Sequence, residues 1–135
     1  MDRVGRVLAG LSMDGLVSAY AFGSVAEGRS HAESDIDLGI LLDWRTHPDA
    51  RARFDAQLEL RRHLSPGSVR REVDLVVLND ASPMLGRRIV GAGHRVYCAD
   101  PEADHAFRRA VQLLAADLDP FLQRMRIVLH ASLTR

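Results

Sequence analysis

The chain has 135 residues, 47% of them apolar, and its 18 basic residues balance 18 acidic ones, so the formal net charge is zero. This length and apolar content predict a single domain over residues 1–135 with one core. The neutral charge disfavours the broad basic surface of a nucleic-acid polymerase, so no direct nucleic-acid substrate is expected. All 18 basic residues are arginines, which excludes lysine-based phosphate contacts and Schiff-base chemistry.

Cysteine content and hydropathy restrict the cellular setting. Cys98 is the only cysteine, so an intramolecular disulfide and a cysteine-based zinc site are both excluded, and we expect its thiol to be buried and unreactive. The N-terminus lacks the charged-then-apolar pattern of a signal peptide. No apolar run approaches the roughly 18 residues of a membrane span. We therefore expect a cytoplasmic protein without a membrane partner.

The first half of the chain predicts two helices and two strands. An apolar stripe ending at Asp14-Gly15 indicates a short first helix, and apolar runs predict strands at residues 16–22 and 36–42. A second helix is predicted from Pro48 to about residue 63, ended by residues 65–67. The side chains expected to point inward are Val4, Val7, Leu8 and Leu11 in the first helix and Phe54, Leu58 and Leu64 in the second.

The second half begins with a strand over residues 72–78, where alternation places Val73, Leu75 and Val77 on one face. Ser82-Pro83 is typical of a helix N-cap, and the helix from Met84 to about Val90 should end at Gly91 and Gly93. A short strand is predicted at residues 95–98. These elements predict an α/β (α+β) fold with a small mixed β-sheet of about four strands flanked by helices.

The tail from residue 102 to residue 133 carries a helical apolar stripe, which Asp119-Pro120 is predicted to interrupt as the cap and first turn of a second segment. Residues 107–118 should cover the sheet. Residues 121–133 continue the stripe at the end of a small domain. Either a partner helix or a second copy of the chain could bury them, so an oligomer or a heterocomplex through the C-terminal helix is possible.

The segment GSVAEGRSHAESDID, residues 23–37, carries the chemistry. Gly23 lets the backbone turn sharply after the first strand, and Ser24 offers a hydroxyl and an N–H to a phosphate. Asp35 and Asp37 alternate with apolar residues, so a strand would place both carboxylates on one face. Mg²⁺ takes one or two carboxylates together with substrate phosphates, which this arrangement would supply.

Asp74 lies inside the strand predicted at residues 72–78 and is a candidate third carboxylate. Two metal ions held by three acids can stabilise both the attacking and the leaving oxygen of an in-line displacement. The acid nearest the nucleophile can also accept its proton. We therefore predict a two-metal site formed by Asp35, Asp37 and Asp74.

Gly23, Ser24, Asp35 and Asp37 resemble the signature of the DNA polymerase β-like nucleotidyltransferase superfamily. The small size, the segments EVDLVVL and SPMLGRRIVGAGHRVYCAD and the helical tail resemble its minimal, MntA-like members, over roughly residues 16–130. The resemblance implies that the Gly-Ser turn binds the nucleotide triphosphate, that the signature acids bind magnesium, and that Asp74 completes the site.

The resemblance also implies a reaction, namely the transfer of AMP from ATP to a tyrosine hydroxyl of a partner HEPN-domain toxin, which this chain would neutralise as an antitoxin. Relatives often carry arginines after the Gly-Ser pair, where this chain has Val25 and Glu27, and Arg29 is the nearest replacement for nucleotide binding. Two alternatives stay open: a non-catalytic antitoxin that acts by binding, and a small-molecule nucleotidyltransferase of the aminoglycoside type.

Overall fold

The computed structural model describes residues 2–23, 36–64 and 73–133 of the chain. Four helices and four strands follow one another along these ranges, and a short 3-10 helix, Leu78–Asp80, follows the third strand. Within these ranges no helix has both the length and the apolarity of a membrane span. The elements are α1 (Asp2–Leu11), β1 (Leu16–Phe22), β2 (Ile36–Leu42), α2 (Ala50–His63), β3 (Val73–Val77), α3 (Pro83–Ala92), β4 (His94–Cys98) and α4 (Pro101–Leu133).

The four strands form one mixed sheet in the order β3-β2-β1-β4. β1 is antiparallel to both β2 and β4, whereas β2 and β3 run parallel. Parallel neighbours need a crossover connection, and α2 lies between β2 and β3 in the chain. The prediction of a small mixed sheet flanked by helices is confirmed, and β1 and β2 have the predicted bounds.

Helices cover both faces of the sheet. Leu38 and Ile40 of β2 belong to a core cluster with residues of α1 and α2, including Leu8 and Leu60. The other face carries Tyr20 of β1 and Leu41 of β2, which pack with residues of α3 and α4. The period of two along β2 therefore places Asp37, Gly39 and Leu41 on the face of α3 and α4. That second face therefore carries Asp37, one of the predicted site residues.

The inward face of α2 differs from the prediction. Phe54 is 56% exposed and Leu58 is also exposed, so placing these two side chains in the core was wrong, whereas Leu64 is buried as expected. The buried positions Ala56, Leu60 and Leu64 follow spacings of four, which place them on one helix face. Phe54 and Leu58 share a different face that points to solvent.

Arg53 completes the buried face of α2. Its guanidinium donates three hydrogen bonds to the Asp80 carboxylate, from Nη2 to Oδ1 at 2.9 Å and from Nε to Oδ2 at 3.0 Å and Oδ1 at 3.2 Å, and Nη1 donates to the His47 carbonyl at 3.0 Å. The guanidinium also lies over the Trp44 ring, 4.9 Å from its centroid. A paired and stacked guanidinium can be buried where an unpaired one cannot, and apolar periodicity does not reveal such a position.

α3 begins as predicted, because Ser82 caps it by accepting a hydrogen bond from the Leu85 backbone N–H and Pro83 occupies its first position. Its end differs from the prediction, since Gly91 lies inside the helix and only Gly93 terminates it. β4 then begins at once, one residue earlier than expected. Cys98 at its end is partly exposed rather than buried, and it is a free cysteine.

α4 is one helix from Pro101 to Leu133, so the prediction that Asp119-Pro120 interrupts it was wrong. A proline inside a helix lacks one backbone N–H, which typically costs about 3 kcal/mol. The φ of proline is nevertheless helical, and strong helix formers such as Leu118, Gln123 and Met125 lie on both sides. Pro120 is itself exposed, so its ring displaces no packed side chain.

α4 covers the sheet over only part of its length. Val111 and Ala115 are buried, but Leu114 and Leu118 are exposed. The prediction that residues 107–118 cover the sheet therefore holds only as far as Ala115. Beyond that residue, the described side chains of α4 are exposed.

β3 is an edge strand that is partly closed by side chains. The Gln57 side chain of α2 donates a hydrogen bond from Nε2 to the Leu75 carbonyl at 2.8 Å. Beyond the end of β3, the Asn79 amide pairs with both backbone groups of Leu42, at 2.9 Å to the N–H and 2.7 Å to the carbonyl. The side-chain amides of Gln57 and Asn79 thus satisfy backbone groups that would otherwise be open to pairing with another strand.

Candidate active site

Gly23 ends β1 in a conformation that suits glycine. Its φ is +83°, in the left-handed region that other residues rarely adopt. A Cβ at this position would collide with Oδ2 of Asp37 and would lie 3.4 Å from its Cγ. The turn therefore brings bare backbone against the Asp37 carboxylate.

Asp37 and Asp74 are neighbours across the parallel β2–β3 pair. Asp37 is in register with Asp74, and Phe22 of β1 is in register with Asp37. Side chains at paired positions project from the same face of a sheet, so Phe22, Asp37 and Asp74 form one row across three strands. Asp37 is half-buried and Asp74 is exposed.

The neighbouring row of side chains explains why the row that contains Asp37 is open to solvent. Tyr20, Gly39 and Val76 are in register one step further from the site edge. α3 packs directly on this row, because a Cβ at Gly39 would lie 3.0 Å from Cγ2 of Ile89. The row containing Asp37 lies at the margin of the helical cover, and its carboxylates are accessible from solvent.

Several residues singled out in the sequence lie outside the described residues. They are Ser24, Arg29 and Asp35, which all fall in residues 24–35. Of the three predicted metal-binding acids, the described ranges include Asp37 and Asp74. Over those ranges, no three His, Cys, Asp or Glu side chains are grouped closely enough to hold a metal ion.

The donor set of the described acids suits a hard cation. Two carboxylates on adjacent strands offer the oxygen ligands that Mg²⁺ prefers, with open coordination positions for water or phosphate oxygens. The Asp37 carboxylate packs directly against the bare backbone of Gly23 at the end of β1. Chemically, this edge could hold a metal ion and an anionic substrate together.

Behind the site lies a buried polar cluster that sequence reasoning missed. Asp104 of α4 is 1% exposed, and its Oδ1 accepts hydrogen bonds from the hydroxyls of Ser18 and Tyr20, both at 2.6 Å. Its Oδ2 accepts from Nη1 of Arg95 on β4 at 3.0 Å. Arg108 donates from Nη1 to the Tyr20 hydroxyl at 3.2 Å. This cluster fastens α4 to β1 and β4.

The cluster shifts two pKa values. Burial alone would raise the pKa of Asp104, but hydrogen bonds from Ser18, Tyr20 and Arg95 outweigh it and hold that pKa below its usual value. Burial and the hydrogen bond to Asp104 raise the pKa of Tyr20. The available signal was the alternation of Ser18 and Tyr20 within an apolar strand, which places two hydroxyls on one face.

Comparison with protein families gives one match. The model described as "Polymerase beta, Nucleotidyltransferase" matches residues 11–102. This range contains all four strands, Gly23, Asp37 and Asp74. No curated protein sequence matches the chain significantly.

Solved structures give further matches, and toxin–antitoxin complexes are among them. A toxin–antitoxin complex with AMP-PNP contains a chain that is 26% identical, with a TM-score of 0.62, over 93% of this chain and 97% of that one. The MntA–HepT complex matches with 22% identity and a TM-score of 0.57, over 92% and 97%. A tri-AMPylated Shewanella oneidensis HEPN toxin in complex with the MNT antitoxin matches with 22% identity and a TM-score of 0.57, over 93% and 99%.

Proposed function

Because the chain belongs to the polymerase beta nucleotidyltransferase family, we propose that it is a Mg²⁺-dependent adenylyltransferase that transfers AMP from ATP to a tyrosine hydroxyl of a HEPN-type toxin. By this modification it acts as the antitoxin. The observation that carries the proposal is the row in which Asp37 and Asp74 lie side by side next to the bare backbone of Gly23. This arrangement matches a phosphate chain held at a turn beside a pair of acids.

The choice of nucleotide and acceptor rests on the structural neighbours. AMP-PNP, an analogue of ATP, is present in the toxin–antitoxin structure that contains a chain 26% identical to this one. The tri-AMPylated HEPN toxin in another neighbour supports a protein acceptor. A tyrosine as the acceptor residue comes from the family resemblance.

Each predicted site residue has a role in the proposal. Gly23 and Ser24 bind the triphosphate at the turn, and Arg29 adds a positive charge to it. Asp35, Asp37 and Asp74 are the metal ligands. A bound Mg²⁺ pair would neutralise charge that develops on the phosphoryl oxygens.

The proposed reaction is an in-line displacement at phosphorus. The acceptor hydroxyl oxygen attacks the α-phosphorus of ATP, the bond between the α-phosphorus and the oxygen that bridges it to the β-phosphorus breaks, and pyrophosphate leaves with that oxygen. Asp74, which is the more exposed of the two described acids, accepts the proton of the hydroxyl. The open margin of the sheet face gives a protein side chain access to this position.

The test is intact-mass spectrometry of the cognate HEPN-type toxin after incubation with this chain, ATP and Mg²⁺. The wild-type chain should add one or more AMP units to the toxin, and Asp37→Asn should add none. Asp74→Asn should slow the chemical step more than it weakens ATP binding. Asp55→Asn, which changes an exposed carboxylate on α2, is the matched control and should retain full transfer.

The two alternative functions give different results in the same assay. A stable complex without any mass gain would indicate an antitoxin that acts by binding only. Neither complex nor mass gain would redirect the search to small-molecule acceptors. Full transfer by the Asp37→Asn variant would contradict the assignment of Asp37 as a metal ligand.

A further inference from the structure

The distal half of α4 extends beyond the rest of the chain and carries an apolar stripe. α4 has 33 residues, and Ala115 is the last of its described side chains to be buried. At 1.5 Å per residue, roughly 27 Å of helix follows Ala115. Leu118, Phe121 and Met125 along it are 38%, 54% and 46% exposed.

The stripe is continuous with an apolar groove on the body of the protein. The groove has a volume of about 450 Å³ and lies between α4 and the ends of β1 and β2. Phe107, Ala110 and Leu114 line it from α4, and Trp44 lines it from the other side. Trp44 is 53% exposed there. Groove and stripe together form one long apolar surface that a helix could occupy.

We propose that this surface binds a second copy of the chain, with the two α4 helices antiparallel about a twofold axis near positions 119 and 120. Residues 114, 118, 121 and 125 have the spacings of four and three that form a coiled-coil seam. In this register Leu118 packs against Phe121 of the partner subunit, and Leu114 packs against Met125 of the partner subunit. Twofold symmetry repeats each contact, so four apolar layers form.

Charge complementarity selects the second copy and its direction. Asp117 and Arg124 are both exposed and lie seven residues apart on the same flank of the seam. In the antiparallel register Asp117 lies beside Arg124 of the partner subunit, and symmetry forms the same ion pair twice. The opposite charges therefore make this flank complementary to itself in the antiparallel direction.

The same register also explains how the apolar groove is covered in the dimer. Beyond residue 125 the partner helix continues through residues 126–133, which the register places alongside residues 106–113 of the first chain. Those residues include Phe107 and Ala110, which line the groove. The last turns of each α4 thus cover the groove and Trp44 of the other copy. This inference does not depend on the proposed catalytic function.

Sedimentation equilibrium of the full chain tests the proposal through charge reversal. The wild-type chain should be a dimer. Asp117→Arg and Arg124→Asp should each raise the dimer dissociation constant about tenfold, because each turns two attractive pairs into repulsive ones. The double variant should return to within about threefold of wild type. Arg61→Asp is the matched control, because Arg61 is exposed on α2, on the opposite face of the sheet from α4, and it should leave the dissociation constant unchanged.

Trp44 provides a second measurement because it is the only tryptophan of the chain. On dilution of the wild-type protein through its dissociation constant, the emission should shift to longer wavelength as Trp44 becomes exposed. A wild-type chain that stays monomeric at high micromolar concentration would overturn the proposal. A double variant as weak as the single ones would overturn the antiparallel pairing. Charge reversals that weaken only the toxin complex would assign the surface to that partner instead.

Discussion

Replacing Asp104 with asparagine should lower the free energy of unfolding at neutral pH by about 3 kcal/mol. The carboxylate accepts three hydrogen bonds at 2.6, 2.6 and 3.0 Å while 1% exposed. A hydrogen bond to a charged group contributes about 1.5–3 kcal/mol and a neutral one about 1 kcal/mol. After the substitution, the neutral amide oxygen can still accept hydrogen bonds from Ser18 and Tyr20. The amide NH₂ faces the Arg95 guanidinium, and because both groups are donors they form no hydrogen bond.

The three contacts lose similar amounts of free energy for different reasons. The two hydroxyl contacts each weaken by about 1 kcal/mol, because they lose the charge of the acceptor. The Arg95 contact is lost, but this guanidinium is half-exposed and becomes hydrated, so its loss adds only about 1 kcal/mol. For a chain of this length, the sum corresponds to a melting temperature lower by about 10 °C.

Urea unfolding followed by far-ultraviolet circular dichroism measures the change. Asp55→Asn on α2 is the control, because its carboxylate is exposed, and it should stay within about 0.5 kcal/mol of wild type. Tyr20→Phe should fall between the two, since it removes one of the three donors. A loss below about 1 kcal/mol for Asp104→Asn would refute the conclusion that this cluster fastens α4 to the sheet.

Three further outcomes are expected. Gly23→Ala should reduce AMP transfer more than tenfold, because its Cβ displaces the Asp37 carboxylate. It should also lower the free energy of unfolding by about 1 kcal/mol, because alanine is strained at this φ. Transfer assays and thermal melts of the same variant would measure the two effects. Gly39→Ala should lower the free energy of unfolding by about 1–2 kcal/mol, since its Cβ would lie 3.0 Å from buried Ile89, and an unchanged urea midpoint would contradict this packing. The pKa of Asp104 is lower in the folded chain than its unfolded value near 3.8, so its stabilisation should be present above that pH and be lost as the pH falls through the folded pKa. The stability difference between wild type and Asp104→Asn should accordingly narrow below pH 4.

Local patterns in the sequence were sufficient to predict where the strands of the sheet lie. β1 and β2 have the predicted bounds because each is a short, mostly apolar segment, and the segment of β1 is followed by a glycine with positive φ. The spacing of Asp37 and Asp74 predicted two acids on strands. Their adjacency depends on the parallel register of β2 and β3, which is set by tertiary packing and is not encoded in either segment alone.

Long-range pairing explains two of the differences from the sequence prediction, and local helix propensity explains a third. Arg53 is buried because Asp80, 27 positions along the chain, neutralises it, so the polar residue took the inward face that Phe54 was expected to share. Asp104 resembles an ordinary acid in the first turn of a helix, and only the partners on β1 and β4 make it a buried anchor. Pro120 was expected to end a helix that the sequence on both sides favours strongly enough to continue.

The hydrogen bond from Gln57 to the Leu75 carbonyl bears on how this protein avoids aggregation. An open sheet edge is a template on which strands of other molecules can add, which leads to fibrils. A foreign strand would have to displace the Gln57 amide, held by α2, before it could pair with Leu75. Phe54 and Leu58 lie exposed on that same helix. Contacts between molecules through Phe54 and Leu58 would involve side chains only. Such contacts can be reversible, because they do not add a strand to the β-sheet.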